Sequence, residues 1–193
     1  MRAFVSIDVE DSQIVQGIQD IQAKIAQPGI RLVNPSIIHL TIKFLGEIPP
    51  EKGQQIATIL TEIVTDFPPF EISFIGFGVF PNLRRPRVVW IGVQEEDNKD
   101  HLKGLAAAVD RGLHAIGFPA EKRPFSSHLT IGRVKFAKPP LHKQLRDLSE
   151  EWADESVGKM VVNEIRLKSS TLTPKGPIYE TVATATLTSA GTP

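Results

Sequence analysis

The tetrapeptide His39-Leu40-Thr41-Ile42 returns 89 positions later as His128-Leu129-Thr130-Ile131. The frame around it returns too. Pro35 and Pro124 each stand four residues before the His, and Pro49-Pro50 and Pro139-Pro140 follow the two strands. A proline pair suits the opening of a helix, where its missing N–H had no intrahelical partner. Good strand propensity accounts for Leu, Thr and Ile in both copies, but not for a His at the same place in each. The chain therefore reads as one supersecondary unit written twice, and its fold must accommodate the same strand in two positions.

Hydrophobic periodicity defines the rest of the unit. Strand-length runs are predicted at Ala3–Val9, Ile37–Leu45, Phe70–Val79, Arg87–Val93, Ser126–Val134, Met160–Leu172 and Ile178–Leu187. Stripes at helical spacing run through Ile14/Ile18/Ile21/Ile25, Ile56/Ile59/Leu60/Ile63/Val64, Leu102/Leu105/Ala106/Val109/Leu113/Ile116 and Leu141/Leu145/Leu148/Trp152. The expected fold class is α+β: a bilobal duplicated unit, with two mainly antiparallel sheets flanking a central cleft and helices on the outside. The repeats fall at about 12–94 and 100–188, and the N-terminal strand joins one of the sheets. No Gly/Ser-rich linker divides them, so residues 1–193 read as a single bilobal domain with a loose tail at 189–193.

Alternation along a strand puts His39 and Thr41 on one face, and Leu40, Ile42 and Phe44 on the other. The apolar face is the core face, which leaves His39, Thr41 and then Lys43 toward a groove. His128 and Thr130 share a face in the same way. If a pseudo-twofold brings the two strands together, one cleft acquires two imidazoles and two hydroxyls. One imidazole can take a proton from a nucleophile near neutral pH while the other gives one to a leaving group. Thr hydroxyls on short, rigid side chains suit the non-bridging oxygens of a tetrahedral anion. The combination describes in-line attack at phosphorus, and the residues alone leave the acid and base roles exchangeable. Neither motif holds a carboxylate, so a His₂-carboxylate metal site lacks its third ligand. No metal and no cofactor is expected. His101, His114 and His142 fall in helical patterns and read as surface residues.

The chain has no Cys among its 193 residues, which removes thiol nucleophiles, Cys-ligated zinc and disulfides. Lys+Arg and Asp+Glu both number 22, so the formal net charge is zero. That argues against gripping a long nucleic-acid tract through many phosphates. The balance is uneven, however. Arg84-Arg85-Pro86-Arg87 is one basic run, and seven Lys/Arg with no Asp or Glu lie between Lys122 and Arg146. Binding one terminal phosphate needs only such a local patch, and the second of these contains His128. No window approaches 18 apolar residues and no signal-peptide pattern opens the chain, so a cytoplasmic protein with no membrane partner is expected. A monomer is the default for a duplicated unit that provides both half-sites itself.

The paired H-x-T-x motifs resemble those of the two-histidine phosphoesterase superfamily, most closely its RNA 2′,3′-cyclic phosphodiesterases, also called 2′-5′ RNA ligases. Supporting stretches run from Arg2 to Asp8, His39 to Glu47, Arg85 to Trp90 and Arg123 to His128, and the likeness spans nearly the whole chain. It implies metal-independent hydrolysis of an RNA terminal 2′,3′-cyclic phosphate to a 2′-phosphomonoester, with 2′-5′ ligation as a side activity. It also orders the imidazoles: His39 as general acid to the departing 3′ oxygen, His128 as general base to water, with Thr41 and Thr130 holding phosphate oxygens. Arg133 resembles a phosphate-binding Arg of the family. Strict alternation from His128 puts it on the far face, and a bulge at Gly132 would re-aim it. Lys43 and Phe125 are further substrate-binding candidates, and Phe4, Phe80, Trp90 and Phe125 are candidates to stack a base. Two other readings use the same residues: a non-catalytic module that binds RNA ends, and a phosphodiesterase for a small cyclic nucleotide or ADP-ribose cyclic phosphate.

Overall fold

The computed structural model describes residues 1–95, 100–174 and 176–188; the expected loose tail at 189–193 lies outside the described residues. In chain order the elements are β1 (Arg2–Asp8), α1 (Ser12–Ile25), β2 (Ile30–Leu32), β3 (His39–Glu47), α2 (Lys52–Val64), β4 (Phe70–Phe80), β5 (Val88–Glu95), α3 (His101–Ala115), β6 (His128–Val134), α4 (Pro139–Glu151), β7 (Ser156–Val162), β8 (Glu164–Thr173) and β9 (Gly176–Thr186). The architecture is mixed α+β around a curled antiparallel sheet. No helix among the described residues is long and apolar enough to cross a membrane.

Where two sheets were expected there is one, in the order β7-β4-β5-β6-β3-β1-β8-β9, with β2 also paired to β6. Its middle is thin. β3 and β6 meet through one ladder pair, Leu40 with Leu129. Further along β6 the neighbour is β2, with Leu32 facing Gly132 and Ile30 facing Val134. β3 is thereby released to pair along its length with β1. Helices α2 and α3 pack on the half that contains β3, and α1 and α4 on the half that contains β6. Each half therefore draws on both ends of the chain: one holds β1, β3, α2, α3, β8 and β9, and the other holds the rest.

The helices form where periodicity and caps agree. Ile14, Ile18, Ile21 and Ile25 bury one face of α1, each contributing about 1.5–3 kcal/mol by leaving water. Asp11 caps that helix, its carboxylate accepting the N–H groups of Gln13 and Ile14. Pro139 and Pro140 occupy the first turn of α4. Pro49 and Pro50 instead form a turn whose carbonyls accept from Lys52 and Gly53 as α2 begins. The apolar run predicted as one strand over Met160–Leu172 is two strands. It breaks at Asn163, whose carbonyl accepts the Leu187 N–H at 2.8 Å. β7 pairs with β4 in one half and β8 with β1 in the other. Period-two patterning reports burial, and Val162 and Ile165 are both buried. A change of partner leaves no trace in it.

Asp8 closes the edge where β1, β3 and β8 meet. Its carboxylate accepts from Ser6 Oγ at 3.0 Å, from the Arg166 guanidinium at 2.9 Å and from Lys168 Nζ. Burial pushes this carboxyl's pKa up, but the Lys168 hydrogen bond and charge, Ser6 and Arg166 together hold it below the ordinary Asp value. A carboxyl depressed by folding adds stability that is present above its unfolded pKa of about 3.9 and is lost as pH falls through the folded value. Asp8→Asn is expected to lower the melting temperature at pH 7, and its deficit against the parent should shrink once pH falls below about 4. Thermal melts across pH check both the sign and the window.

Candidate active site

His39 and His128 each open their strand and are half-buried. His39 Nδ1 lies 2.9 Å from the Ile37 carbonyl, and His128 Nδ1 lies 2.8 Å from the Ser126 carbonyl. The contact is the same in both copies, two residues back along the chain. A carbonyl only accepts, so each Nδ1 carries a proton, and in the neutral ring Nε2 is the open nitrogen. The antiparallel pair Leu40–Leu129 sets Thr41 beside His128 and His39 beside Thr130.

One residue after each Thr, the pairing slips. On β3, Thr41 pairs with Ser6 and Lys43 with Val5, so Ile42 is extra. On β6, Thr130 pairs with Trp90 and Gly132 with Val89, so Ile131 is extra. An extra residue reverses the facing of everything beyond it. Arg133 is thereby returned to the His128–Thr130 face, where it is exposed and its charge bears on both His39 and Tyr179. The bulge is at Ile131, not at Gly132. It is held from outside the motif: the Ile131 carbonyl accepts from the Gln22 side-chain amide at 2.9 Å and from the Val33 N–H at 3.0 Å. Gln22 is 4% exposed on α1, beside the Ile stripe that marks the helix in the sequence. Only its buried polar side chain hints at a role.

The same slip on β3 overturns two assignments. Lys43, expected in the groove, is buried on the helix side. Its Nζ pairs with Asp110 of α3 at 2.5 Å and donates to the Pro119 carbonyl at 2.8 Å. It is therefore a tie between the His39 strand and the segment leading into His128. Phe44, expected in the core, is outside and 69% exposed. Phe125 packs against the core and lines a shallow cavity with Val93, Glu95, Leu102 and Ser127; neither imidazole lines that cavity.

Aromatic rings brace both imidazoles. Phe4 stacks on His39 with centroids 4.8 Å apart, and Tyr179 meets both rings edge-on at 5.0 and 5.3 Å. Phe80 meets His128 edge-on at 5.0 Å. Trp90 tilts against Phe80 and lies over Gly78, where a Cβ would come within 2.2 Å of the indole. Tyr179, the one tyrosine of the chain, reaches His39 from β9, two strands beyond β1. No local pattern could have found it. Burial pushes the His39 pKa down. The Ile37 carbonyl and the Asp8 charge oppose that, the Lys168 and Arg133 charges add to it, and the net value is below the ordinary histidine range. The remaining histidines lie elsewhere: His101 stacks on Phe70 rather than facing solvent, and His114 and His142 hydrogen-bond the Phe118 and Leu83 carbonyls. No group of three or more His, Asp or Glu among the described residues is arranged to hold a metal ion.

Two imidazoles, two hydroxyls and a guanidinium thus share one sheet face. The chain belongs to the LigT-like phosphoesterase family, whose model matches residues 7–90 and again 91–179. It is 44% identical over 181 residues to the RNA 2′,3′-cyclic phosphodiesterase of Archaeoglobus fulgidus, covering 93% of this chain and 97% of that one. Among solved structures it is similar to the protein TT0787 of Thermus thermophilus, with a TM-score of 0.81 at 26% identity over 99% of this chain and 100% of that one. It is also similar to E. coli LigT complexed with 3′-AMP, with a TM-score of 0.72 at 27% identity over 97% and 98%.

Two outcomes are expected here. The His39 imidazole titrates below about 6.5 in the free protein, and Phe4→Ala, which rehydrates the ring, raises its midpoint; NMR titration of the histidines reads both. Gln22→Leu removes the amide's hydrogen bonds to both the Val33 and the Ile131 carbonyls, so urea unfolding should show a loss of about 1–3 kcal/mol. If Gln22 aims Arg133, the same change raises KM for a phosphate ester more than it lowers kcat.

Proposed function

We propose that the protein hydrolyses the 2′,3′-cyclic phosphate at the end of an RNA to a 2′-phosphomonoester and a free 3′-hydroxyl, without a metal or cofactor. His128 Nε2 takes a proton from water as the water oxygen bonds to phosphorus, and His39, protonated at Nε2, gives its proton to O3′ as the P–O3′ bond breaks. The Thr41 and Thr130 hydroxyls and the Arg133 guanidinium hold the non-bridging oxygens, whose charge grows in the transition state. The observation that carries this reading is the pinning of both Nδ1 atoms on the carbonyl two residues back, which readies two Nε2 atoms for proton transfer across the β3–β6 junction. A site built only for binding RNA ends would not require that tautomer twice. RNA as the substrate class is supported by the Archaeoglobus relative's activity and by Arg31, which faces Arg133 across the β2–β6 pair. One chain provides every group named, so a monomer suffices. With a 5′-hydroxyl in place of water as the nucleophile, the same displacement of O3′ from phosphorus yields a 2′-5′ linkage.

The test is product analysis on an RNA ended by a 2′,3′-cyclic phosphate, in EDTA, with ADP-ribose cyclic phosphate as competitor. The expected product is the 2′-phosphate alone, and His39→Ala and His128→Ala should each lose about 100-fold or more. Full turnover in His128→Ala, or binding of the RNA end with no product in the parent, would sink the mechanism.

A further inference from the structure

The strands that flank β3 and β6 on the sides away from their junction carry unlike residues. On β1, Asp8 stands opposite His39 and Ser6 opposite Thr41. On β5, Gly92 stands opposite His128 and Trp90 opposite Thr130. Directly opposed residues of antiparallel strands share a face, with Cβ atoms about 5 Å apart. His39 therefore has a carboxylate as its cross-strand neighbour, and His128 has a glycine.

That carboxylate belongs to a larger cluster. Asp8 accepts from Ser6, Arg166 and Lys168, and Arg166 also pairs with Glu10 and Glu164, each at 2.6 Å. These contacts join three carboxylates to two cations and leave one negative charge in excess. The Asp8 side chain is 9% exposed, so salt screens it little. Burial of the His39 ring disfavours its protonated form, and so do the charges of Lys168 on β8 and Arg133 on β6; Asp8 is the carboxylate that favours it. Tyr179 on β9 stays neutral, since burial pushes its pKa up. The Ile37 carbonyl at His39 Nδ1 favours the charged ring too, but it has its counterpart in Ser126 beside His128.

We infer that Asp8 is the positioning residue that makes His39, and not His128, the imidazole carrying the proton destined for O3′. The inference rests on the hydrolysis proposed above. A general acid must hold its proton in the reacting state, and a general base must lack one. Twin imidazoles on twin motifs have no preference of their own; a carboxylate beside one of them creates it. Asp8 acts through His39 and transfers no proton itself.

The experiment measures kcat/KM for adenosine 2′,3′-cyclic phosphate across the pH profile. At its alkaline end the rate follows the fraction of molecules that keep a proton on the acid; at its acidic end it follows the fraction whose base has lost one. Asp8→Asn removes an opposite charge worth about one pKa unit to His39. It should therefore lower kcat/KM about ten-fold at the alkaline end and leave the acidic end in place. Lys168→Met removes the cation of the same ion pair and should raise the alkaline end. A purely structural ion pair would move both variants alike and at every pH. NMR titration of His39 reads the same shifts without substrate, with the midpoint lower in Asp8→Asn and higher in Lys168→Met. Shifts of the same sign in both variants, or a His39 midpoint that Asp8→Asn leaves unmoved, overturn the inference and leave the hydrolysis standing. So does a gain at the acidic end of Asp8→Asn with no change at the alkaline end, which would make His39 the base. A parent that does not turn over the substrate overturns the hydrolysis and the role of Asp8 with it.

Discussion

One ladder pair, Leu40 against Leu129, joins the two halves of the sheet, and the proposed site depends on it. The two leucines are 1% and 0% exposed, so apolar packing as well as hydrogen bonding holds the seam. Because β2 takes over as the neighbour of β6 immediately beyond, β3 is free to follow β1, and each half keeps its own pair of helices. The seam is long enough to set a register and short enough that each strand leaves it for another partner. Register is what matters at the site, since a slip of one residue would turn either His away from the groove.

Across this seam the His-Thr pair is duplicated, while its surroundings are not. Both imidazoles have Nδ1 tied to a carbonyl two residues back and an aromatic ring set edge-on. Opposite His39 on the neighbouring strand stands Asp8, engaged by Lys168 and Arg166; opposite His128 stands Gly92. Past the bulges, Lys43 answers Gly132 and Phe44 answers Arg133. One Lys is thus spent on fastening the segment before His128 to β3 and α3. The bulge carbonyl of the other copy is fastened by Gln22 from α1. Duplication explains why two imidazoles are present at matching positions. The unlike residues around them give the two imidazoles different surroundings.

Much of the fold was legible in the sequence because burial has a period. The Ile stripe of α1 and the Leu stripes of α3 and α4 are the buried faces, and the His-Thr alternation correctly put His39 with Thr41 and His128 with Thr130. What alternation could not report is where a strand changes partner or gains a residue. The break at Asn163 is hidden because apolar side chains are needed on both sides of it. The bulges at Ile42 and Ile131 are hidden because Ile is an ordinary strand residue. What makes it extra is the spacing of the neighbouring strand, fixed for β6 by Gln22 and Val33, which lie about a hundred positions away in the chain. Lys43 and Phe44 were consequently assigned to each other's faces.

The sequence by itself determined which groups could do chemistry: two imidazoles and two hydroxyls at repeated positions, no thiol, and a basic stretch around His128. These follow from residue type and short-range spacing, which the chain carries locally. Only the tertiary structure decided that Arg133 and Phe44 lie on the His-Thr face and Lys43 does not, that Tyr179 braces His39, and that Asp8 stands opposite it. Each of these is a pairing between distant segments, and register between strands is set by packing and hydrogen bonding across the whole sheet, not by the residues of either strand alone.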